Sequence, residues 1–335
     1  MDTLWEAEIA PVVWVQGWGD WLELPMAGLS ALGSQFLYLA LAPLVFWSIS
    51  ASLGARLYVL LMASAAVNML LKSLVYGPRP YWLSPQVTQL ATESSFGVPS
   101  GHAQMSATMW GYLAAMLRRR WFWVVAVFLI AGITLSRLYL GVHFISDLLV
   151  GLVLGVGIVW LALRYQDRVI RWWQGWSLRG QLVMALGISL VAPLIAVSWQ
   201  AIVRTDWTAP ASWTGAVPDD VVTGGISVLF QVSGVLLGLL VALSLLWARG
   251  WYSAAGSIRV RVLRGVLGLA GMAAMVALLR VTIPDLAGEF GYARDYLSGM
   301  LTMLWGFFVL PELFIRLKLA TRGEPDVHRA SAEAR

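Results

Sequence analysis

The chain of 335 residues has no cysteine, only three histidines, and charged residues at just 12% of its positions. The missing cysteine excludes disulfides, thiolate catalysis and cysteine-ligated zinc, and leaves the compartment open. The shortage of charge excludes an ordinary soluble domain, which would carry roughly twice that fraction. Residues 1–27 hold Asp2, Glu6, Glu8, Asp20 and Glu23 but no Lys or Arg, so the basic start of a signal peptide is missing there. No internal repeat or low-complexity tract interrupts the chain, and no cofactor is expected.

What fills the chain is apolar. Hydrophobic residues make up 59% of it, and the mean hydropathy is +0.74. Runs of about 20 apolar residues recur, which predicts an all-α fold: a polytopic transmembrane helical bundle. About nine spans are expected, near 28–50, 57–76, 101–117, 121–140, 143–163, 180–203, 222–247, 262–283 and 296–317. Seventeen of the 23 basic residues fall on one set of alternate loops and on the tail, among them Arg118–Arg120, Arg164, Arg249 and Arg259. That asymmetry predicts a cytoplasmic C-terminus and places the loops 77–100, 204–221 and 284–295 outside. Short loops and the lack of a targeting segment predict a plasma membrane, of a bacterial kind. Trp14, Trp18 and Trp21 are expected to share one face of an N-terminal segment, 1–27, lying in the headgroup layer. Trp172, Trp173 and Trp176 read as an interfacial belt.

Three basic residues break the pattern. Lys72, Arg79 and Arg137 gather at the outward ends of the second to fifth spans, in "KSLVYGPRP" and "SRLYLGVHFISD". A charge at bilayer depth costs at least about 2.5–3.5 kcal/mol on insertion scales, so such residues are functional candidates by default. Two of the three histidines end at the same face: His102 in "PSGH" (99–102) and His143. His143 and Asp147, spaced i and i+4, are expected on one helical face. The carboxylate would take the imidazole Nδ1–H and leave Nε2 free as a nucleophile. Ser100 reads as a helix N-cap, with the amides after it turned toward an anion. Lys72, Arg79 and Arg137 supply three cations for a transferring phosphoryl group. His102 remains as the general acid and base.

These three ordered stretches resemble the signature of the type 2 phosphatidic acid phosphatase superfamily at every position: Lys72, Arg79, Pro80; Pro99, Ser100, Gly101, His102; Ser136, Arg137, His143 and Asp147. The resemblance implies a six-helix phosphatase core over about 28–203, a phosphohistidine at His143, acid and base work by His102, and orientation of His143 by Asp147. It implies phosphate binding by Lys72, Arg79, Ser100, Gly101, Ser136 and Arg137, with no metal. Residues 204–318, additional helices of unassigned role, and a disordered cytoplasmic tail over 319–335 lie outside it.

The expected partners are therefore a lipid phosphate substrate and membrane lipids, with no nucleic acid. Phosphatidate, phosphatidylglycerophosphate, diacylglycerol pyrophosphate and polyprenyl pyrophosphates such as undecaprenyl pyrophosphate all fit a site opening at bilayer depth. Two rivals stand beside this hydrolase: a lipid phosphotransferase using the same site, and a non-enzymatic transporter or scaffold. The last three spans carry few charges expected inside the membrane, Arg280, Arg294 and Glu312 among them, which argues against a transport path. Glu93, in the outer loop, could gate the site, orient a headgroup, or be a solvated loop carboxylate. Gln104 is expected to point away from His102, and His328 to be idle in the tail.

Overall fold

The computed structural model describes residues 2–213, 215, 217–284, 286 and 288–323. Among them the chain is almost wholly helical: α1 (Asp2–Ala7), α2 (Ile9–Gln16), α3 (Glu23–Leu32), α4 (Gln35–Ser48), α5 (Ala51–Val75), α6 (Pro80–Leu83), α7 (Gly101–Leu117), α8 (Arg120–Tyr139), α9 (Ile145–Gln174), α10 (Leu178–Val203), α11 (Val221–Ala248), α12 (Ile258–Thr282), α13 (Gly288–Leu304) and α14 (Leu310–Arg316). A π-turn, Trp305–Val309, joins the last two. A two-residue antiparallel pair, β1 (Tyr252–Ser253) with β2 (Thr321–Arg322), is the one sheet among the described residues. Helices dominate because a bilayer offers backbone amides no water, so each span must satisfy its own.

Seven of the described helices are long and apolar enough to cross a membrane, or eight if the bent pair Asp20–Leu32 and Gln35–Ser48 forms one crossing. The nine expected spans are all present as helices, but two are irregular. The span expected at 28–50 is broken at Gly33 and Ser34, where Ser34 Oγ accepts from Leu37 N at 3.3 Å and starts a new helix. The span expected at 101–117 is 17 residues long, too short for a 30 Å core at about 1.5 Å per residue.

The residues sort into two compact units, and α5, α9, α10 and α11 each contribute to both. The first unit comprises Met1–Leu37, Ser64–Tyr165 and Ala192–Leu229. Its apolar core is built from Trp82, Phe96, Tyr139, Val142 and Phe144, with Trp5, Val12, Val15 and Met26 from the N-terminal helices. Trp82 stacks on Trp213 at 5.5 Å, and Tyr76 on Phe96 at 4.4 Å. A polar ladder ties α5 to α7. Gln104 Nε2 donates to Ser64 O (2.8 Å) and Oγ (3.0 Å), and its Oε1 accepts from Asn68 at 2.8 Å. Gln104 is therefore a packing residue.

The N-terminal segment differs from the single amphipathic helix expected. α2 ends at Gln16 and a short 3-10 turn covers Asp20–Leu22, so Trp14, Trp18 and Trp21 share no helix, although all three are exposed. The segment is also held down by polar contacts: Gln16 Nε2 donates to Thr88 O (2.7 Å) and Tyr139 O (3.0 Å).

The second unit comprises Tyr38–Ala63, Gln166–Val191 and Phe230–Arg335. Phe46, Trp47, Tyr58, Tyr252 and Phe307 form its aromatic centre. Trp47 Nε1 donates to Gly306 O at 2.9 Å, and Tyr252 OH donates back to Trp47 O at 2.8 Å. Gly234, Gly238 and Gly299 let α11 and α13 approach backbone to backbone, the usual device where apolar burial gives helices no drive to associate. Arg264, one of the seventeen basic residues expected on the alternate loops and the tail, is fully buried on α12: it donates to Ser253 O (3.2 Å) and Ala254 O (2.5 Å) and lies over Tyr252. The boundary at 319 also shifts. Thr321 and Arg322 are paired in β2, and Arg322 holds Glu312 at 2.9 Å. Residues 324–335, with His328, lie outside the described residues.

Candidate active site

The three signature stretches meet in the first unit, and the short segment 93–97 takes the cations of the first and third, through its backbone and the side chain of Glu93. Lys72, in the last turn of α5, donates to Phe96 O and, at 3.2 Å, to Gly97 O. Arg79, just before α6, is fully buried and donates to Ser95 O (2.6 Å), Val142 O (2.8 Å) and Phe96 O (3.2 Å). The bond to Val142 ties the first stretch to the residue beside His143. Ser100 N donates to Asp147 O at 3.0 Å, tying the second stretch to the third.

Arg137, at the end of α8, donates to Ser30 Oγ at 2.5 Å and to Glu93. Its Nε is buried with no partner. After α8 the chain must turn sharply to bring His143 back, and Gly141 takes the left-handed φ of +73° that this requires. His143 then precedes α9, and only Asp147 lies on that helix, which corrects the expectation of two residues on one helical face. The pair forms all the same: His143 Nδ1 lies 3.1 Å from Asp147 Oδ2. The same oxygen accepts Phe144 N at 3.0 Å, so Asp147 reaches back to cap its own helix. This bond fixes the carboxylate and, through it, the imidazole, whose Nε2 stays available.

Ser100 occupies the N-cap position of α7 but makes no capping bond; its Oγ is buried without a partner. Orphan polar atoms of this kind are rare in folded proteins, and with Arg137 Nε they leave two unmade hydrogen bonds among the residues assigned to phosphate. Gly101 and His102 begin α7, with His102 partly buried. Ser136 fits its assigned role less well. Its hydroxyl donates to Ile133 O at 2.7 Å, inside its own helix.

Three further residues belong to this cluster, and no local pattern marks two of them. Glu93 bridges the cations: Oε2 lies 3.4 Å from Arg79 Nη2, and Oε1 pairs with Arg137 Nη2. Burial alone would push its pKa up, but Arg79 and Arg137, with His102 and Lys72 behind them, hold it down at about 2. Ser30 orients Arg137 from α3. Glu8 accepts from Ser146 N (3.1 Å) and Ser146 Oγ (2.9 Å), a carboxylate at the N-terminus of α9 next to Asp147. Glu8→Ala is expected to cost about 1 kcal/mol, as loss of a helix cap does, read as a lower unfolding temperature. An unchanged temperature would mean that this contact holds nothing in place.

One cavity borders the cluster, and a second lies next to the first. A small one of about 10 Å³ reaches Lys72, Ser95 and Phe96. A larger one of about 710 Å³ lies among Arg204, Asp206, Trp207 and Asp219, and Val221 and Val222 line both.

Comparison with known proteins gives the same grouping. The PAP2 superfamily model matches residues 53–171, and the model of the transmembrane extension of PAP2 superfamily phosphatases matches residues 230–322. Phosphatidylglycerophosphatase B of Bacillus subtilis is 26% identical over 46% of this chain and 80% of its own. Mouse sphingosine-1-phosphate phosphatase 2 is 30% identical over 41% of this chain and 40% of its own. Bovine glucose-6-phosphatase 3 is 26% identical over 72% of this chain and 77% of its own. The first match contains Lys72, Arg79, His102, Arg137, His143 and Asp147, and the second accounts for helices that the signature leaves out: this multi-pass membrane protein belongs to the type 2 phosphatidic acid phosphatase superfamily.

Proposed function

We propose that the protein is a membrane lipid phosphatase that hydrolyses a phosphate or pyrophosphate monoester through a phosphohistidine at His143. The observation that carries this reading is the convergence of Lys72, Arg79 and Arg137 on one short loop beside the His143–Asp147 pair. Three cations against the carboxylates of Glu93 and Asp147 make an anion site, and an electrostatically poor one for a divalent metal.

In the proposed reaction, the Nε2 lone pair of His143 attacks phosphorus while the P–O bond to the lipid breaks, and His102 gives its proton to the departing oxygen. Water then attacks the phosphohistidine, His102 takes back a proton, and the P–N bond breaks to release inorganic phosphate. Lys72, Arg79 and Arg137 hold the charge that spreads over the non-bridging oxygens. The relatives named for phosphatidylglycerophosphate and sphingosine 1-phosphate support a lipid substrate. The long match to a glucose-6-phosphatase supports a second reading, a water-soluble phosphate ester at the same site.

The test is phosphate release by the purified protein in detergent with EDTA. Its panel holds phosphatidate, phosphatidylglycerophosphate, diacylglycerol pyrophosphate, a polyprenyl pyrophosphate and glucose 6-phosphate. Release from a lipid that survives EDTA is the expected result. Release from glucose 6-phosphate alone would replace the lipid reading, and none from any compound by folded protein would end both.

We also propose that the site faces away from the cytoplasm in a plasma membrane, on the strength of the basic loops. The absence of cysteine makes this simple to check. Thr205 and Ser257 are both exposed, and single cysteines there should differ, with an impermeant reagent labelling position 205 and sparing position 257 in intact cells. The opposite pattern would invert the topology.

A further inference from the structure

The cation cluster is already occupied. Glu93 stands between Arg79 and Arg137, one oxygen to each guanidinium, as two oxygens of a phosphoryl group would. We infer that Glu93 is a resident phosphate mimic: its carboxylate neutralises the two arginines in the free enzyme, is displaced by the incoming phosphoryl group, and returns to help expel product phosphate. This rests on the proposed reading of the site as a phosphate site.

Charge at the two arginines favours the exchange. Lys72, Arg79 and Arg137 carry three positive charges, and Glu93 and Asp147 carry two negative ones. A phosphate monoester adds close to two more. Around the two guanidinium groups themselves, Glu93 and a phosphoryl group together would set three negative charges against two positive; with Glu93 gone, the two arginines face the two phosphoryl charges. Without any resident anion, the empty site would bury nearly bare cations, the costly state for charges out of water.

Geometry permits the exchange. The arginines are anchored independently of Glu93, Arg79 by Ser95 O and Val142 O and Arg137 by Ser30 Oγ. They can stay while the carboxylate leaves. The side chain of Glu93 is 23% exposed where those of Arg79 and Arg137 are 0% and 3%, so it has a way out toward solvent. It also lies in an irregular stretch rather than on a helix. The unpartnered Arg137 Nε and Ser100 Oγ are spare donors for the larger oxygen set of a phosphoryl group.

Binding of orthovanadate and of inorganic phosphate tests this without chemistry, through the rise in unfolding temperature of the detergent-purified protein. Glu93→Gln keeps the shape and removes the competing charge. It should lower the vanadate and phosphate concentrations needed for half the shift by roughly tenfold or more, and lower KM for the substrate as well. Glu93→Asp is too short to span both guanidinium groups and should fall between wild type and Glu93→Gln. A Glu93→Gln protein that needs as much vanadate as wild type, or more, overturns the inference. If that variant does not accumulate, Glu93→Asp decides: a lowered midpoint supports displacement, and an equal or raised one refutes it. Failure of both anions to stabilise the wild type would instead remove the phosphate site itself. A purely structural Glu93 would lower the unfolding temperature without ligand and leave the anion midpoint unmoved.

Discussion

His143→Ala is expected to abolish phosphate release, by about four orders of magnitude or more, the scale seen when a hydrolase loses its nucleophile or its paired base. The fold should survive, because the one side-chain bond described for His143 is the 3.1 Å contact to Asp147. An unfolding temperature near wild type, with activity gone, separates chemistry from structure. Asp147→Ala should be less severe in rate and more severe in stability, because it removes the oxygen that also accepts Phe144 N. Acid quenching of the wild type during turnover would destroy a phosphoramidate, so trapping must be done in base. Labelled phosphate retained on wild type under base and absent from His143→Ala is the direct signature of the intermediate. A folded His143→Ala protein with appreciable turnover would sink the covalent route.

Arg79→Lys is the second large effect, and the comparison with Arg79→Ala matters more than either alone. Lysine keeps the charge but not the fork, and here the fork reaches Ser95 O, Val142 O and Phe96 O together with Glu93. The expected loss in kcat is about 10²–10³, as for removal of one preorganised donor from a charge-stabilising site. Arg79→Ala should go further and fail to accumulate, because it leaves the Ser95 and Val142 carbonyls without their donor. Arg79→Lys with wild-type kcat would show that position 79 only carries charge and does not aim it.

The helices and the main site residues were legible in the sequence for a common reason: each carries a local signal. Runs of 20 apolar residues announce spans, and Lys72, Arg79, Arg137, His102 and His143 are conspicuous as polar groups at their ends. What was not legible was either long-range or a matter of hydroxyl direction. Ser30 acts 107 residues away from Arg137 and Glu8 138 residues away from Ser146, and no periodicity marks such pairs. Glu93 was visible only as a carboxylate in a loop, where a solvated role was equally open; the arginines that surround it belong to two other stretches. Ser100 and Ser136 were read alike from their motifs, yet one hydroxyl is left free and the other is used within its helix. Arg264 looked like one more loop cation because its carbonyl partners, Ser253 and Ala254, carry no side-chain signature.

The contacts of the N-terminal helices also set an order of events during synthesis. Glu8 and Gln16 leave the ribosome long before Ser146 and Tyr139, their partners 138 and 123 residues later. At translation speeds of about 5–20 residues per second, that interval is on the order of ten seconds. Throughout it, α1 to α3 must wait with Trp5, Val12 and Met26 uncovered, and the headgroup layer is the natural place for them to wait. The site can close only when α9 has emerged and the N-terminus docks onto it, so a nascent protein that stalls before residue 147 has its cations in the membrane and no pocket to hold them.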